Sequence, residues 1–475
     1  MKKFALLSIL VPVLCFGQNN VQDYVKNVMM KDKEMSNLVV AFLAVAPDGS
    51  IIAGMNPDMP LAPASNTKLI TTGTAMLALG PEYRFRTSLA YDGQIDGDGL
   101  LKGNVYIVGG ADPTLGSKDD VAYPVDSIFA EWVVALRNAG IKKIEGRICG
   151  DASFLDDEIV PGDLEWDDIG TDYGHSACGL SFAENLSDFE VRPGKAEGDP
   201  AVIRPIAPYS PDMTYLNEVV TSAGRGMNIG YNVSDICPVG KFEGSVGADR
   251  RVDTIACANK FTASTCAAAF EHFLTENGIE CLGYSEASAP DSANFIFSTF
   301  SPTLSEIASV TNHISNNFYA ETIFKTFGRE FFGEGSRNAA SKGARYLIDS
   351  LGVSLRGYTQ ADGSGLSRHN YISPRFFCNF LSLMERSDCF ETYLAGLPQP
   401  GGEGTLSGFL RQDEPALKQR IHAKSGSLDG VKCYSGYVDT EGGYIKFSIL
   451  LNNYSCPTSR VQPIIEGFVK QLTQF

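Results

Sequence analysis

A hydroxyl and an amine set one helical turn apart can form an activated nucleophile, and the sequence holds such a pair in Pro63-Ala64-Ser65-Asn66-Thr67-Lys68-Leu69. Ser65 and Lys68 are i and i+3, so a helix puts both on one face. A serine hydroxyl is weak at its free pKa, and an adjacent amine can take its proton if that amine is itself neutral. Lys68 is the one lysine with a serine three residues before it. By itself the pair is equally the capping serine and solvated lysine of an ordinary helix.

Two later clusters carry complementary groups. Ser315-Asn316-Asn317 sets a hydroxyl and a carboxamide two residues apart, where a loop between helices can aim both into a cleft. Turn chemistry is the usual employment of such residues. Lys424-Ser425-Gly426-Ser427 adds a second amine and further hydroxyls just ahead of an apolar run from Cys433 to Val438. Each cluster is weak alone, and the fixed order of all three is the stronger signal.

The elements that must position them are readable from periodicity. Leu69 to Leu79 reads as a helix that stops at Gly80-Pro81. Val21 to Met35 reads as a helix, and Leu38 to Ala46 and Ser50 to Met55 as strands around a Pro47-Asp48-Gly49 turn. The C-terminal end repeats this arrangement: Cys433 to Val438 and Tyr444 to Asn452 flank a turn, and Ile464, Ile465, Phe468, Val469 and Leu472 recur at helical spacing. Both ends therefore belong to one antiparallel sheet covered by helices. Between about Leu89 and Ala293 the chain turns to short β-like runs, Val105 to Val108, Ala201 to Ile206 and Met227 to Val233, broken by Gly, Pro and Asp, with one helix over Ala263 to Asn277. This predicts mostly β inserted domains.

Composition excludes other classes. With 39 basic against 56 acidic residues and a net charge of −17, the chain lacks the positive footprint a nucleic-acid binder needs. The five histidines are scattered, and neither Cys-x-x-Cys nor His-Glu-x-x-His occurs, so no metal mechanism is expected. No Gly-x-Ser-x-Gly elbow occurs either. Lys2 and Lys3 before an apolar run from Phe4 to Phe16, then Gly17 and Gln18, form an export-signal pattern cleaved near Gly17. The run is shorter than the ~20 residues a spanning helix requires. Export leaves ten cysteines in an oxidising compartment, where some disulfides are expected, with a pairing that spacing does not give.

Ser65-x-x-Lys68, Ser315-x-Asn317 and Lys424-Ser425-Gly426 resemble the three motifs of penicillin-binding proteins and class A β-lactamases. The separation of Ser65 and Ser315, 315 − 65 = 250 residues, resembles more specifically the D-Ala-D-Ala carboxypeptidase/endopeptidase family of class C low-molecular-mass penicillin-binding proteins, peptidase family S13. Val108-Gly109-Gly110-Ala111-Asp112-Pro113-Thr114-Leu115, Asp362-Gly363-Ser364-Gly365-Leu366-Ser367-Arg368 and Gly402-Glu403-Gly404-Thr405-Leu406 are similar to stretches of the same family. Ser425 stands where Thr is commoner, and Glu403 where Asp is usual. The resemblance covers essentially the whole chain after the export signal.

It implies an α+β fold, a penicillin-binding/serine β-lactamase-like domain whose antiparallel sheet is flanked by helices, with two mostly β inserted domains. The expected boundaries are 1–17 for the signal, 18–88 with 296–475 for the catalytic domain, 89–183 with 258–295 for the first insert and 184–257 for the second. The implied activity is a penicillin-sensitive serine D,D-peptidase, exported to the periplasm or cell envelope, that needs no cofactor. Its implied partners are peptidoglycan peptides ending in D-Ala-D-Ala or cross-linked, and β-lactam antibiotics. Ser65 would be the nucleophile, Lys68 the base and Ser315 a proton relay. Asn317 would hold the substrate backbone, and Lys424 with Ser425 the terminal carboxylate. The backbone N–H groups of Ser65 and Ser427 would form the oxyanion hole beside Gly426. Asp168, in Trp166-Asp167-Asp168, resembles a lid carboxylate that pairs with a substrate amine or orients the Ser65–Lys68 pair. The competing readings are a β-lactamase or esterase on the same fold, and a non-catalytic peptidoglycan-binding scaffold.

Overall fold

Side chains alternate across a strand, so a sheet buried on both faces must be apolar at every position. Gly443–Asn452 is buried from Ile445 onward and largely meets that condition, with Lys446, Ser448 and Asn452 as its buried polar exceptions, and it lies at the centre of a five-stranded antiparallel sheet. The order is Ile421–Leu428, Val431–Thr440, Gly443–Asn452, Val39–Val45 and Ile51–Met55. The two chain ends thus meet as expected, with Val39 opposite Asn452 and Val45 opposite Lys446. This computed structural model describes residues 18–31, 35, 37–174 and 177–475. The export segment 1–17 lies outside the described residues, as do positions 32–34 of the first expected helix, which runs over Gln18–Lys31.

The alternation sorts the sheet into two cores. Phe447, Ile449 and Leu451 face the terminal helices, packing with Val21, Val25, Val461, Ile464 and Phe468. Leu450, Cys433 and Tyr437 face the opposite way, onto a larger helical layer. That layer contains Thr67–Leu79, Leu304–His313, Asn317–Phe332, Arg337–Ser350 and Pro374–Glu385. Among the described residues no helix is long and apolar enough to cross a membrane.

The intervening chain is β-rich, as expected. Tyr284–Glu286, Ile148–Asp151, Val105–Val108, Arg84–Tyr91 and Asn294–Thr303 form a second five-stranded sheet. Its core includes two helices, Thr262–Glu276 and Val125–Asn138. The second is not anticipated, although Val125, Ile128, Phe129, Trp132, Val133 and Leu136 recur at helical spacing and all but Val125 are buried. Beyond it, two three-stranded sheets close over Phe189, Val219, Phe242 and Val246. The ten cysteines from Cys149 to Cys456 are free thiols, so the expected disulfides are not formed among the described residues. Eight of the ten are buried in the cores, where they pack as small apolar side chains.

Phe447 is fully buried and makes an edge contact with Phe468 at 6.2 Å between ring centres. Phe447→Ala is expected to cost about 3–5 kcal/mol by leaving a cavity at the sheet–helix seam. Thermal unfolding checks this: the midpoint should fall by several degrees, and an unchanged midpoint would mean that the seam is not the core of this part.

Candidate active site

Ser65 sits in a tight turn that the chain reaches under strain. Ala64 has φ +48°, a left-handed value unusual for a residue with a Cβ, and Ala64–Asn66 form one turn of 3-10 helix before Thr67–Leu79 begins. Ser65 is therefore not the helix cap. Asn66 occupies that position, and its Nδ2 donates to Ser435 Oγ at 2.8 Å. Ser435 lies directly opposite Lys424 on the neighbouring strand, so sheet register and nucleophile turn are tied together. Contact is close enough that a Cβ on Gly426 would lie 2.7 Å from the Pro63 carbonyl and 3.0 Å from the Ser65 nitrogen. Only glycine lets the edge strand approach the nucleophile this way.

The triplet Lys424-Ser425-Gly426 is expected just ahead of a strand, and it lies within one, Ile421–Leu428. Polar residues fill a buried edge there, which masks the usual strand pattern. That edge strand presents Ser427 to the cleft, while its Lys424 and Ser425 are buried.

Lys68 is fully buried and makes three contacts. Its Nζ lies 3.0 Å from Ser65 Oγ, and it donates to Asn317 Oδ1 at 2.6 Å and to the Ser364 carbonyl at 2.7 Å. Burial disfavours the charged form and lowers Lys68 to about 7, against the opposing pull of the Asp362 and Glu321 carboxylates. A neutral amine has two N–H bonds and one lone pair. The Ser364 carbonyl can only accept, and Asn317 accepts through its oxygen, so these two consume both N–H bonds. The lone pair then faces Ser65 Oγ, where a general base must stand.

The second amine, Lys424, is also fully buried and donates to the Ser425 carbonyl at 2.9 Å. Burial, then Lys68, then Lys432 push it well below the ordinary lysine range. Burial, rather than the neighbouring cation, is thus the leading cause of a neutral Lys68. The pair still cannot hold two charges comfortably, and an anion entering beside Lys424 would supply the missing counter-charge.

Ser315 occupies the junction between Leu304–His313 and Asn317–Phe332, with φ +63°. Asn316 caps the second helix by accepting from the Tyr319 N–H at 3.0 Å, which leaves Asn317 as its first residue, aimed at Lys68. The stretch Gly402–Leu406 has a visible task here. Gly404 packs on the His313 carbonyl and Thr405 N–H donates to that carbonyl at 2.9 Å, propping the helix end before Ser315. Glu403 is exposed and takes no part in these contacts.

Ser65, Ser315, Asn317, Ser427 and Asp168 line one cleft of about 460 Å³, with Glu165, Tyr173, Gly365, Leu366, Arg368, Leu428, Asp429 and Thr458. Asp168 is half-buried, and its Oδ1 accepts from the Tyr173 hydroxyl at 2.8 Å. Burial raises its carboxyl above the usual range, against that hydrogen bond. The Tyr173 carbonyl accepts from Asn317 Nδ2 at 3.0 Å, so the inserted segment touches the carboxamide that also meets Lys68. Arg368 Nε donates to Glu165 at 3.1 Å across the cleft. Neither Glu165, Tyr173 nor Arg368 is assigned a role by sequence reasoning, because long-range packing alone brings them here.

Acylation of Ser65 by a small activated ester should accelerate as pH rises, with a midpoint at about 7, because the lone pair appears only as Lys68 loses its proton. Stopped-flow rates across the neutral range check this. A flat profile through that range would contradict it.

Over 422 residues the chain is 29% identical to the D-alanyl-D-alanine carboxypeptidase of Actinomadura sp. (strain R39), covering 84% of this chain and 74% of that one. It is 24% identical over 463 residues to the D-alanyl-D-alanine carboxypeptidase DacB of Haemophilus influenzae, covering 95% and 91% of the two chains. The crystal structure of penicillin binding protein 4 (dacB) from Haemophilus influenzae superposes with a TM-score of 0.83 at 22% identity, over 95% of this chain and 99% of that one. The model of the D-Ala-D-Ala carboxypeptidase 3 (S13) family matches residues 21–474, and the chain belongs to that family.

Proposed function

We propose that this protein is a penicillin-sensitive serine D,D-peptidase that hydrolyses the bond between two D-alanines of peptidoglycan peptides through an acyl-enzyme on Ser65. One observation carries the reading: a buried amine whose two N–H bonds have fixed acceptors and whose third direction meets a serine hydroxyl at 3.0 Å. A scaffold without chemistry has no use for such an arrangement, since two buried amines cost stability and satisfy no structural charge. The relatives named above as D-alanyl-D-alanine carboxypeptidases supply the substrate class.

The proposed steps use this chain's own groups. Ser65 Oγ attacks the carbonyl carbon of the penultimate D-alanine while its proton passes to Lys68 Nζ. The oxyanion is held by the backbone N–H groups of Ser65 and Ser427, a pairing supported by the close approach of the edge strand to the Ser65 turn at Gly426. The C–N bond then breaks, and the leaving amine takes a proton delivered from Lys68 by way of Ser315. Water attacks the ester carbonyl while Lys68 accepts its proton, and the bond from the acyl carbon to Ser65 Oγ then breaks as Lys68 returns that proton to Ser65 Oγ. Asn317 orients both Lys68 and the substrate backbone. Lys424 and Ser425 meet the terminal carboxylate, and carboxylate binding is coupled to proton uptake by Lys424.

The reading extends to location and to the lid. The segment Met1 to Gly17 is read as an export signal, which places the enzyme in the periplasm or cell envelope, where its polymer lies. Asp168 is read as the partner of a free amine on the peptide side chain. Its hydrogen bond goes to Tyr173 rather than to Ser65 or Lys68, which favours the substrate over the catalytic groups.

Penicillin treatment followed by peptide mass spectrometry should place one adduct on the peptide containing Ser65, and none in Ser65→Ala. An adduct on another residue, or a folded protein that takes none, would overturn the assignment. For the lid, Asp168→Asn should lower kcat/KM on amine-bearing muropeptides by about tenfold or more, the worth of one charge-assisted contact, with penicillin acylation nearly unchanged. Equal losses in both reactions would instead assign Asp168 to the catalytic groups.

A further inference from the structure

The Ser364 carbonyl is one of two acceptors that fix the Lys68 amine, yet it belongs to a loop with no regular structure. What holds that loop is a buried carboxylate on the opposite side. Glu321, from the helix Asn317–Phe332, accepts from the Gly363 N–H at 3.0 Å and the Ser364 N–H at 2.9 Å through the same oxygen, Oε1. Its other oxygen accepts from Arg337 Nε at 3.0 Å. Arg337 begins the next helix and also reaches Asp163 of the inserted segment at 3.2 Å. Within the loop, Asp362 accepts from the Gly365 N–H at 2.7 Å and the Ser367 N–H at 2.6 Å, which closes the turn. A Cβ on Gly365 would lie 1.9 Å from the Ala64 carbonyl, so the turn is also wedged against the nucleophile.

We propose that Glu321 and Arg337 are positioning residues for Lys68: by gripping the Gly363–Ser364 backbone they aim the Ser364 carbonyl at the amine and thereby turn its lone pair toward Ser65. Neither touches the substrate cleft. The inference rests on the proposed function, since it assigns a task to groups that serve a catalytic base.

The same arrangement gives the pair an electrostatic task. The groups facing Lys68 are the Glu321 and Asp362 carboxylates, which favour its charged form, and the Lys424 amine from the edge strand, itself held well below the ordinary lysine range by burial and by Lys68. Arg337 balances Glu321, and Asp163 balances Arg337 from the far side. Removing the Glu321 charge while keeping an acceptor should let Lys68 lose its proton at lower pH. Removing Arg337 leaves Glu321 unbalanced and should do the reverse.

The test is single-turnover acylation by a fluorescent penicillin across the neutral pH range, with thermal unfolding recorded for each variant. Glu321→Gln should move the acid limb to lower pH and keep the high-pH rate within about threefold, because the carboxamide oxygen still accepts from Gly363 and Ser364. Glu321→Ala should lower that plateau by about tenfold or more, the worth of one misdirected catalytic contact. Arg337→Gln should move the limb to higher pH. A merely structural role would change melting and amount of active protein without moving the limb. A folded Glu321→Gln or Arg337→Gln enzyme whose limb coincides with the wild type overturns the proposal. Failure of the wild type itself to be acylated would instead overturn the proposed function.

Discussion

Water would hold a proton on a lysine amine far above neutrality, and the site depends on denying Lys68 that water. The amine is enclosed with two oxygen acceptors and a serine hydroxyl, and among the described residues no carboxylate bonds to it. An ion pair at that distance would lock the proton on; bare burial would remove the amine's direction. Acceptors in contact and carboxylates one shell away give both a lowered proton affinity and a fixed lone pair. Every nearby element can be read as a means of holding that arrangement.

The sheet contributes through its register. Lys424 stands opposite Ser435, Ser435 accepts from Asn66, and Asn66 adjoins Ser65, so a slip of one residue would turn the amine to the other face and uncouple the strand from the nucleophile. The helical layer contributes Asn317 at a capped helix start and Glu321 one turn further on, on one helix. The inserted chain contributes one side of the cleft wall, through Glu165, Asp168 and Tyr173. It meets the machinery through the Tyr173 carbonyl on Asn317 and through Asp163 on Arg337.

Much of this was legible in the sequence, and for a physical reason. Ser65 with Lys68, and Ser315 with Asn317, act over one helical turn or one loop, so their spacing carries their geometry. The meeting of the two chain ends in one sheet followed from mostly apolar runs, such as Tyr444 to Asn452, which the structure buries on both faces from Ile445 onward. The edge strand Ile421–Leu428 was harder, because its buried positions include Lys424 and Ser425 and so imitate a loop. The helix Val125–Asn138 had a clear period and sits within otherwise β-rich surroundings. Glu321 and Arg368 lie in stretches similar to the family's, yet no spacing says what they meet, and Arg337 and Tyr173 had no local signal at all. Their partners are fixed only by tertiary packing, and a buried Glu reads in sequence as any solvated one.

The central claim is that the Lys68 amine exchanges its proton near neutrality inside the folded protein. Heteronuclear NMR of protein carrying 13C at lysine Cε, with Lys68→Met to assign the signal, measures this directly. The account predicts that the Lys68 resonance titrates with a midpoint at about 7, well apart from the exposed lysines. A Lys68 resonance that stays in the charged form through neutrality and titrates together with the surface lysines would contradict it.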